Sequence, residues 1–156
     1  MKHDRIVRTV VPVAICGALG LALLGASGDP TTPADTQFTS HAMPLLLQSV
    51  ANANPAESGG DATVKALASK VQSDEVSIGT QLVSIAGYYG IKVSIDSPKP
   101  SIQASDYTAS QATVLPQLIT LFEQEAKGGG GAQMRSFAET SVPVLEGDLK
   151  AVQQAR

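Results

Sequence analysis

Apolar residues recur at alternating steps of three and four along most of this chain, and four such stripes predict four helices. The longest stripe runs Val64, Leu67, Val71, Ile78, Leu82, Ile85 and Tyr89; it predicts a helix over residues 61–89 that stops at Gly90. An earlier stripe of Phe38, Ala42, Leu45, Leu46, Ser49, Val50 and Ala53 predicts a helix opening near Asp35, a good N-cap residue. Pro44 either kinks that helix or restarts it, and residues 54–60 read as a loop. A third helix is expected over residues 101–127, with Gln111, Leu115, Leu118, Phe122 and Ala126 on one face. The fourth, from about Ala132 to Gln154, carries Met134, Phe137, Ala138, Ser141, Leu145, Leu149 and Val152, and Pro143 should bend it. Between these last two, the four consecutive glycines at 128–131 predict a flexible turn.

One segment breaks the helical period. Residues 91–100 alternate at Ile91, Val93 and Ile95 and then meet Pro98 and Pro100. No second strand pattern exists to pair with them, so an extended connection is expected rather than a sheet. The fold class that follows is all-α: an antiparallel four-helix bundle with one longer crossover between the second and third helices. Its core would be Leu, Val, Ile and Ala, without an obvious pocket for a large flat cofactor.

The start of the chain is different in kind. Lys2, Arg5 and Arg8 precede an uncharged run over residues 9–28, after which Asp29, Pro30, Thr31 and Thr32 turn the chain polar. Residues 1–28 therefore read as an export signal, with Ala26, Ser27 and Gly28 supplying the small residues that a signal peptidase needs. An uncleaved anchor in the inner membrane over residues 9–28 is the alternative, since such a run is long enough to span a bilayer. Residues 29–34 form a flexible lead-in and 35–156 the bundle domain, the size of a single domain. Cys16, the only cysteine, lies inside the apolar run and does not fit a lipid-anchoring signal. Cleavage would leave a periplasmic or envelope domain with neither disulfide nor thiol nucleophile.

Charge narrows the partners. The net charge is −3; without residues 1–28 the 11 basic residues fall to 8 and the 14 acidic to 13, giving −5. Neither value suits a nucleic-acid partner or an anionic membrane surface. The expected partner is an envelope protein or a small ligand, with no membrane span after cleavage, and the oligomeric state is open.

Candidate chemistry centres on Glu75, which fills the slot between Val71 and Ile78 in the apolar stripe. An unpaired buried carboxylate costs several kcal/mol, so Glu75 is expected to be protonated, ion-paired, metal-bound, or turned to the bundle edge. With Asp148 and Asp74 it could form an oxygen-only site for a hard cation such as calcium, magnesium or manganese. The competing expectation is a carboxylate pair that shares a proton, is bridged by water, or is neutralised by Lys or Arg. The chain has no Glu-x-x-His pair, no Gly-x-Ser-x-Gly elbow and no Gly-Lys-Ser or Gly-Lys-Thr phosphate loop. Its histidines are His3, in the leader, and His41, at the polar edge of the first helix, where a surface role is expected. Tyr88 and Tyr89 are expected to pack at the end of the second helix.

Several of these residues together resemble a known family. Phe38 and Ala42, Val64-Lys65-Ala66-Leu67-Ala68 followed by Asp74-Glu75, the end of the second helix at residues 82–90, Tyr107, and Ser141-Val142-Pro143-Val144-Leu145 resemble the domain of unknown function 4142 family. The resemblance covers nearly all of residues 35–155. It implies an exported bacterial domain with a ferritin-like four-helix fold, often assigned to the outer membrane, and implies no particular reaction. Members typically carry histidines at the places held here by Glu75, Leu115 and Asp148, and a glutamate where Gln48 or Ser49 stands. The functional expectation is a non-enzymatic envelope or periplasmic protein with a binding or structural role and no cofactor. The alternative is a ferritin-like metal-binding protein with a carboxylate site at Glu75 and Asp148, linked to redox or stress protection.

Overall fold

The structure, a computed structural model, describes residues 31–156, and the expected leader lies outside them. Four long helices account for most of this span: α1 Pro33–Gly59, α2 Ala62–Tyr88, α3 Tyr107–Gly128 and α4 Ala132–Gln154. A single 3-10 turn, Ala104–Asp106, leads into α3, so the third helix starts later than its apolar pattern implies. Among the described residues there is no strand, as the unpaired alternation at 91–95 requires.

Helix α1 departs most from expectation. It is capped by Thr32 and not by Asp35: the Thr32 hydroxyl accepts from the Asp35 N–H, and the Asp35 carboxylate accepts from the Thr32 N–H. It is also continuous through Pro44, and it includes residues 54–59 that read as a loop. Asn54, Pro55, Gly59 and Gly60 are strong local breakers, but Ala53 and Ala56 continue the buried stripe at full burial. Packing of that stripe outweighs the backbone bond lost at Pro55. The helix then ends at Gly60, whose N–H donates to the Ala56 carbonyl. Helix α4 runs through Pro143 without interruption, and Pro44, Pro116 and Pro143 all sit on exposed faces, where water can serve the carbonyls they leave unbonded.

Helices α1 and α4 each pack against both α2 and α3, so they occupy one diagonal of a square and α2 and α3 the other. The α3–α4 turn meets the start of α1, where the N–H groups of Gly130 and Gly131 donate to Asp35 Oδ1. It also meets the end of α2, where the Gln133 N–H donates to the Tyr89 hydroxyl. At the opposite end Gly59 closes on Ala104. Neighbouring helices are therefore antiparallel, and the segment from α2 to α3 must travel the whole length of the bundle.

That geometry explains the alternating segment. A 27-residue helix is about 40 Å long at about 1.5 Å per residue. The 14 residues 90–103 cover that distance only if they are nearly extended, at about 3.3 Å each. Side chains of α1 hold them in place: Gln48 Nε2 donates to the Lys99 carbonyl at 3.2 Å, and the Ser101 N–H donates to Asn52 Oδ1 at 2.8 Å. Asn52 is itself buried, so this pairing satisfies a group that would otherwise destabilise the fold.

The core is aliphatic with one aromatic end. Phe38, Phe122 and Phe137 pack edge-on or tilted with centroids 4.9 and 5.6 Å apart, near the α3–α4 turn. Leu82 is buried near this end too, and towards the middle of the bundle the core passes to Val71, Leu115, Leu118 and Leu145, all fully buried.

Candidate functional site

The expected anomaly is real: Glu75 lies inside the bundle, only 1% exposed, between Val71 and Ile78 on α2. Around it polar side chains from all four helices interrupt the aliphatic core. Ser49 on α1 donates to Glu75 Oε1 at 2.8 Å, and Gln111 on α3 donates its amide to the Ser49 hydroxyl at 2.6 Å. Tyr107 on α3 and Asp148 on α4 are fully buried beside them. Each of these residues sits on its own helix's apolar face, so the bundle brings the stripes together and the polar substitutions with them.

Two of the three residues proposed as cation ligands share this centre, and the third does not. The charge of Asp148 reaches Glu75 and helps to raise it. Asp74 points along the half-exposed flank of α2, where Lys70 Nζ bridges it, at 2.8 Å, to Asp148 Oδ1 across on α4. Lys70 is invisible as a functional residue in sequence. Its position is exposed, and only its long stem carries the ammonium inward to an aspartate whose side chain is fully buried.

The electrostatics follow from this arrangement. Burial pushes the Glu75 carboxyl up to about 8; the Ser49 hydroxyl opposes the shift and the charges of Asp148 and Asp74 add to it. At neutral pH Glu75 is therefore uncharged. Asp148 is also raised by burial, with Lys70 pulling the other way, and the two aspartates raise Lys70 against the effect of its own partial burial. The Tyr107 hydroxyl is raised by burial and by the fields of Glu75 and Asp148. One carboxyl is thus neutral and the other is neutralised by an ammonium, two of the solutions open to a buried acid.

Four buried oxygens here have no hydrogen-bond partner among the described residues: Glu75 Oε2, Tyr107 OH, Gln111 Oε1 and Asp148 Oδ2. All four are hard oxygen donors, the type that calcium, magnesium or manganese takes. Against that fit, no three His, Cys, Asp or Glu side chains among the described residues form a metal-holding group, and Lys70 already supplies a positive charge to both aspartates. Leu115 is simply core. His41 is exposed.

Glu75 also borders an open space. A cleft of about 290 Å³ lies between α1 and α2 under the crossover, lined by Met43, Leu47, Val76, Gly79, Ile95 and Glu75 among others. The apolar stripes carry no sign of it, because it forms where the extended segment bridges two helices instead of a fifth helix covering them.

A second buried acid pair lies at the α3–α4 turn. Asp35 Oδ1 accepts the Gly130 and Gly131 N–H groups at 3.0 and 3.2 Å, and the Glu125 carboxyl lies against Asp35. Burial, then the hydrogen bond and charge of Asp35, push Glu125 up to about 8, with Arg135 opposing. Asp35 is lowered: burial works against ionisation, but the Thr32 and Gly131 N–H groups and Glu125 outweigh it. Arg135 donates to the Gly129 and Gly130 carbonyls. The glycine run, expected as a loose turn, is a bonded one. A Cβ on Gly129 would lie 1.9 Å from Glu125 Oε1, and one on Gly131 would lie 2.7 Å from the Tyr89 ring, so close approach explains the glycines at both places.

Comparison with protein-family profiles, curated proteins and solved structures finds no match to this chain. Among the described residues no helix is long and apolar enough to cross a membrane.

Proposed function

We propose that this chain is an exported envelope or periplasmic helical bundle that binds a partner or small ligand and catalyses no reaction. The observation that carries this reading is the internal compensation of its polar centre. Lys70 takes the position of a cation between Asp74 and Asp148, and burial holds Glu75 uncharged while Ser49 donates to its Oε1. Ser49, the hydroxyl bonded to Glu75, is itself only 1% exposed and is tied to Gln111. That arrangement supports a polar core that fixes helix register rather than a nucleophile presented to substrate. The export half of the reading rests on the leader pattern of residues 1–28.

The second reading is a hard-cation site linked to redox or stress protection. It is favoured by one observation, the four unpartnered oxygens of Glu75, Tyr107, Gln111 and Asp148. Such a site would take Glu75 and Asp148 as ligands and would require Lys70 to leave Asp148.

Metal content decides between them. The naturally processed protein, purified without a histidine tag or chelator, is expected to carry no stoichiometric metal by elemental mass spectrometry. One metal per chain, lost in both Glu75→Gln and Asp148→Asn, would overturn the first reading in favour of the second. The same sample's N-terminus, read by mass spectrometry, is expected near Asp29.

A further inference from the structure

The cleft beside Glu75 has three properties that belong together. It is built almost wholly of aliphatic side chains from α1, α2 and the crossover. Its rim is exposed: Val76 is 48% and Ile95 62% accessible, two of the four large hydrophobics left open to solvent among the described residues. Apolar groups held at an open rim are stabilised by covering them. Its lining includes one ionisable residue, Glu75, nine-tenths buried or more and carrying an oxygen, Oε2, with no partner.

Gly79 adds a fourth. It stands inside α2, where glycine costs about 1 kcal/mol relative to alanine. Added bulk would fit: a Cβ there would meet only Met43 Cε, at an ordinary 3.7 Å. Local packing thus does not demand a glycine, and what its missing side chain leaves is part of the open volume.

We infer that this cleft is a binding site for a small uncharged molecule with an apolar body and one hydroxyl or carbonyl end, the polar end bonding the Glu75 carboxyl. The inference rests on the binding reading above and adds the site and the ligand's chemistry. Size follows from volume: a cavity of about 150 Å³ accepts benzene, so about twice that takes on the order of 10 to 15 heavy atoms. Charge follows from the walls. No Lys or Arg lines the cleft to receive an anion, and the nearby Lys70 is already engaged by Asp74 and Asp148. A hydroxyl suits Glu75 in either protonation state, since it both donates and accepts.

The test uses three probes of nearly equal shape: 4-phenylbutan-1-ol, butylbenzene and 4-phenylbutylamine, titrated calorimetrically into the naturally processed protein. The alcohol is expected to bind about tenfold more tightly than the hydrocarbon, the worth of one hydrogen bond to a buried polar group. Glu75→Gln, which keeps both a donor and an acceptor, should retain that preference, and Glu75→Leu should erase it. Gly79→Val, which adds bulk to the cleft and leaves the Glu75 carboxyl chemically unaltered, should weaken both probes at least tenfold with the fold intact by circular dichroism. Tightest binding by the amine would overturn the ligand class, and binding unaffected by Gly79→Val would overturn the site. Failure of all three probes to bind a metal-free, folded protein would overturn this inference while leaving the metal measurement to judge the reading beneath it.

Discussion

Replacing Glu75 by glutamine tests the electrostatic account of the bundle centre most directly. Glutamine has the shape of a protonated glutamate, can accept from Ser49 at Oε1, and cannot ionise. In the folded protein the Glu75 carboxyl titrates at about 8; in the unfolded chain it returns to about 4.5. A carboxyl raised in this way keeps its proton in the native state after the unfolded chain has lost it. The stability it allows is fully present below about pH 4.5 and is lost as pH rises towards 8. Each pH unit in that window costs about 1.4 kcal/mol, so the penalty is about 3 kcal/mol at pH 7 and levels off near about 5 kcal/mol above pH 8. Against a typical total of about 5–15 kcal/mol that is a large share.

Urea denaturation of the wild type and Glu75→Gln across pH 5 to 9 measures this difference. Glu125 titrates in the same window but is common to both proteins, so it cancels in the comparison. The variant should match the wild type within about 1 kcal/mol near pH 5 and exceed it by about 3 kcal/mol at pH 7, with unchanged m-values. A difference independent of pH would refute the raised carboxyl. A wild type more stable than the variant by a constant margin across this range, a margin that shrinks only below about pH 4.5, would mean that Glu75 is ionised against a cation and would return the metal reading to first place.

Two other substitutions probe the supports of the fold. Gly129→Ala should destabilise by about 1–3 kcal/mol, because its Cβ meets both the Glu125 carboxyl and, at 2.9 Å, the Glu125 carbonyl; Gly128→Ala, with nothing within 4 Å, should be neutral or stabilising by up to about 1 kcal/mol in the same thermal melts. Lys70→Met, which keeps the stem and removes the charge from fully buried Asp148, should cost about 1–3 kcal/mol after allowance for the half-exposed lysine, and Lys70→Met with Asp148→Asn should recover most of it in a double-mutant cycle.

The helices and their buried faces are legible in the sequence because they depend on periodicity, which is local. α2 and α4 fall within a residue or so of their predicted ends, and Glu75 stands out as a charge in an apolar slot from the pattern of its own helix. Residues 54–60 mislead for the complementary reason. Asn54, Pro55 and the paired glycines are local breakers, while what keeps the helix going is the burial of Ala53 and Ala56 against other elements. Asp35 reads as a cap for the same cause: it is a capping-box residue at one oxygen, but its other oxygen serves Gly130 and Gly131, 95 and 96 positions away.

The candidate site divides along the same line. A misplaced charge announces itself along one helix, whereas the group that compensates it belongs to another helix and is chosen by the fold. Glu75 takes its partner Ser49 from 26 residues away, and Asp148 takes Lys70 from 78. Lys70 has no anomaly of its own, being an exposed lysine with an ordinary i,i+4 aspartate. The cleft is further out of reach still. It arises because 14 extended residues cover the α1–α2 seam less completely than a helix would, leaving Val76 and Ile95 open above a buried carboxyl. The crossover's length, required by its passage from one end of the bundle to the other, therefore also determines where this protein exposes an apolar site.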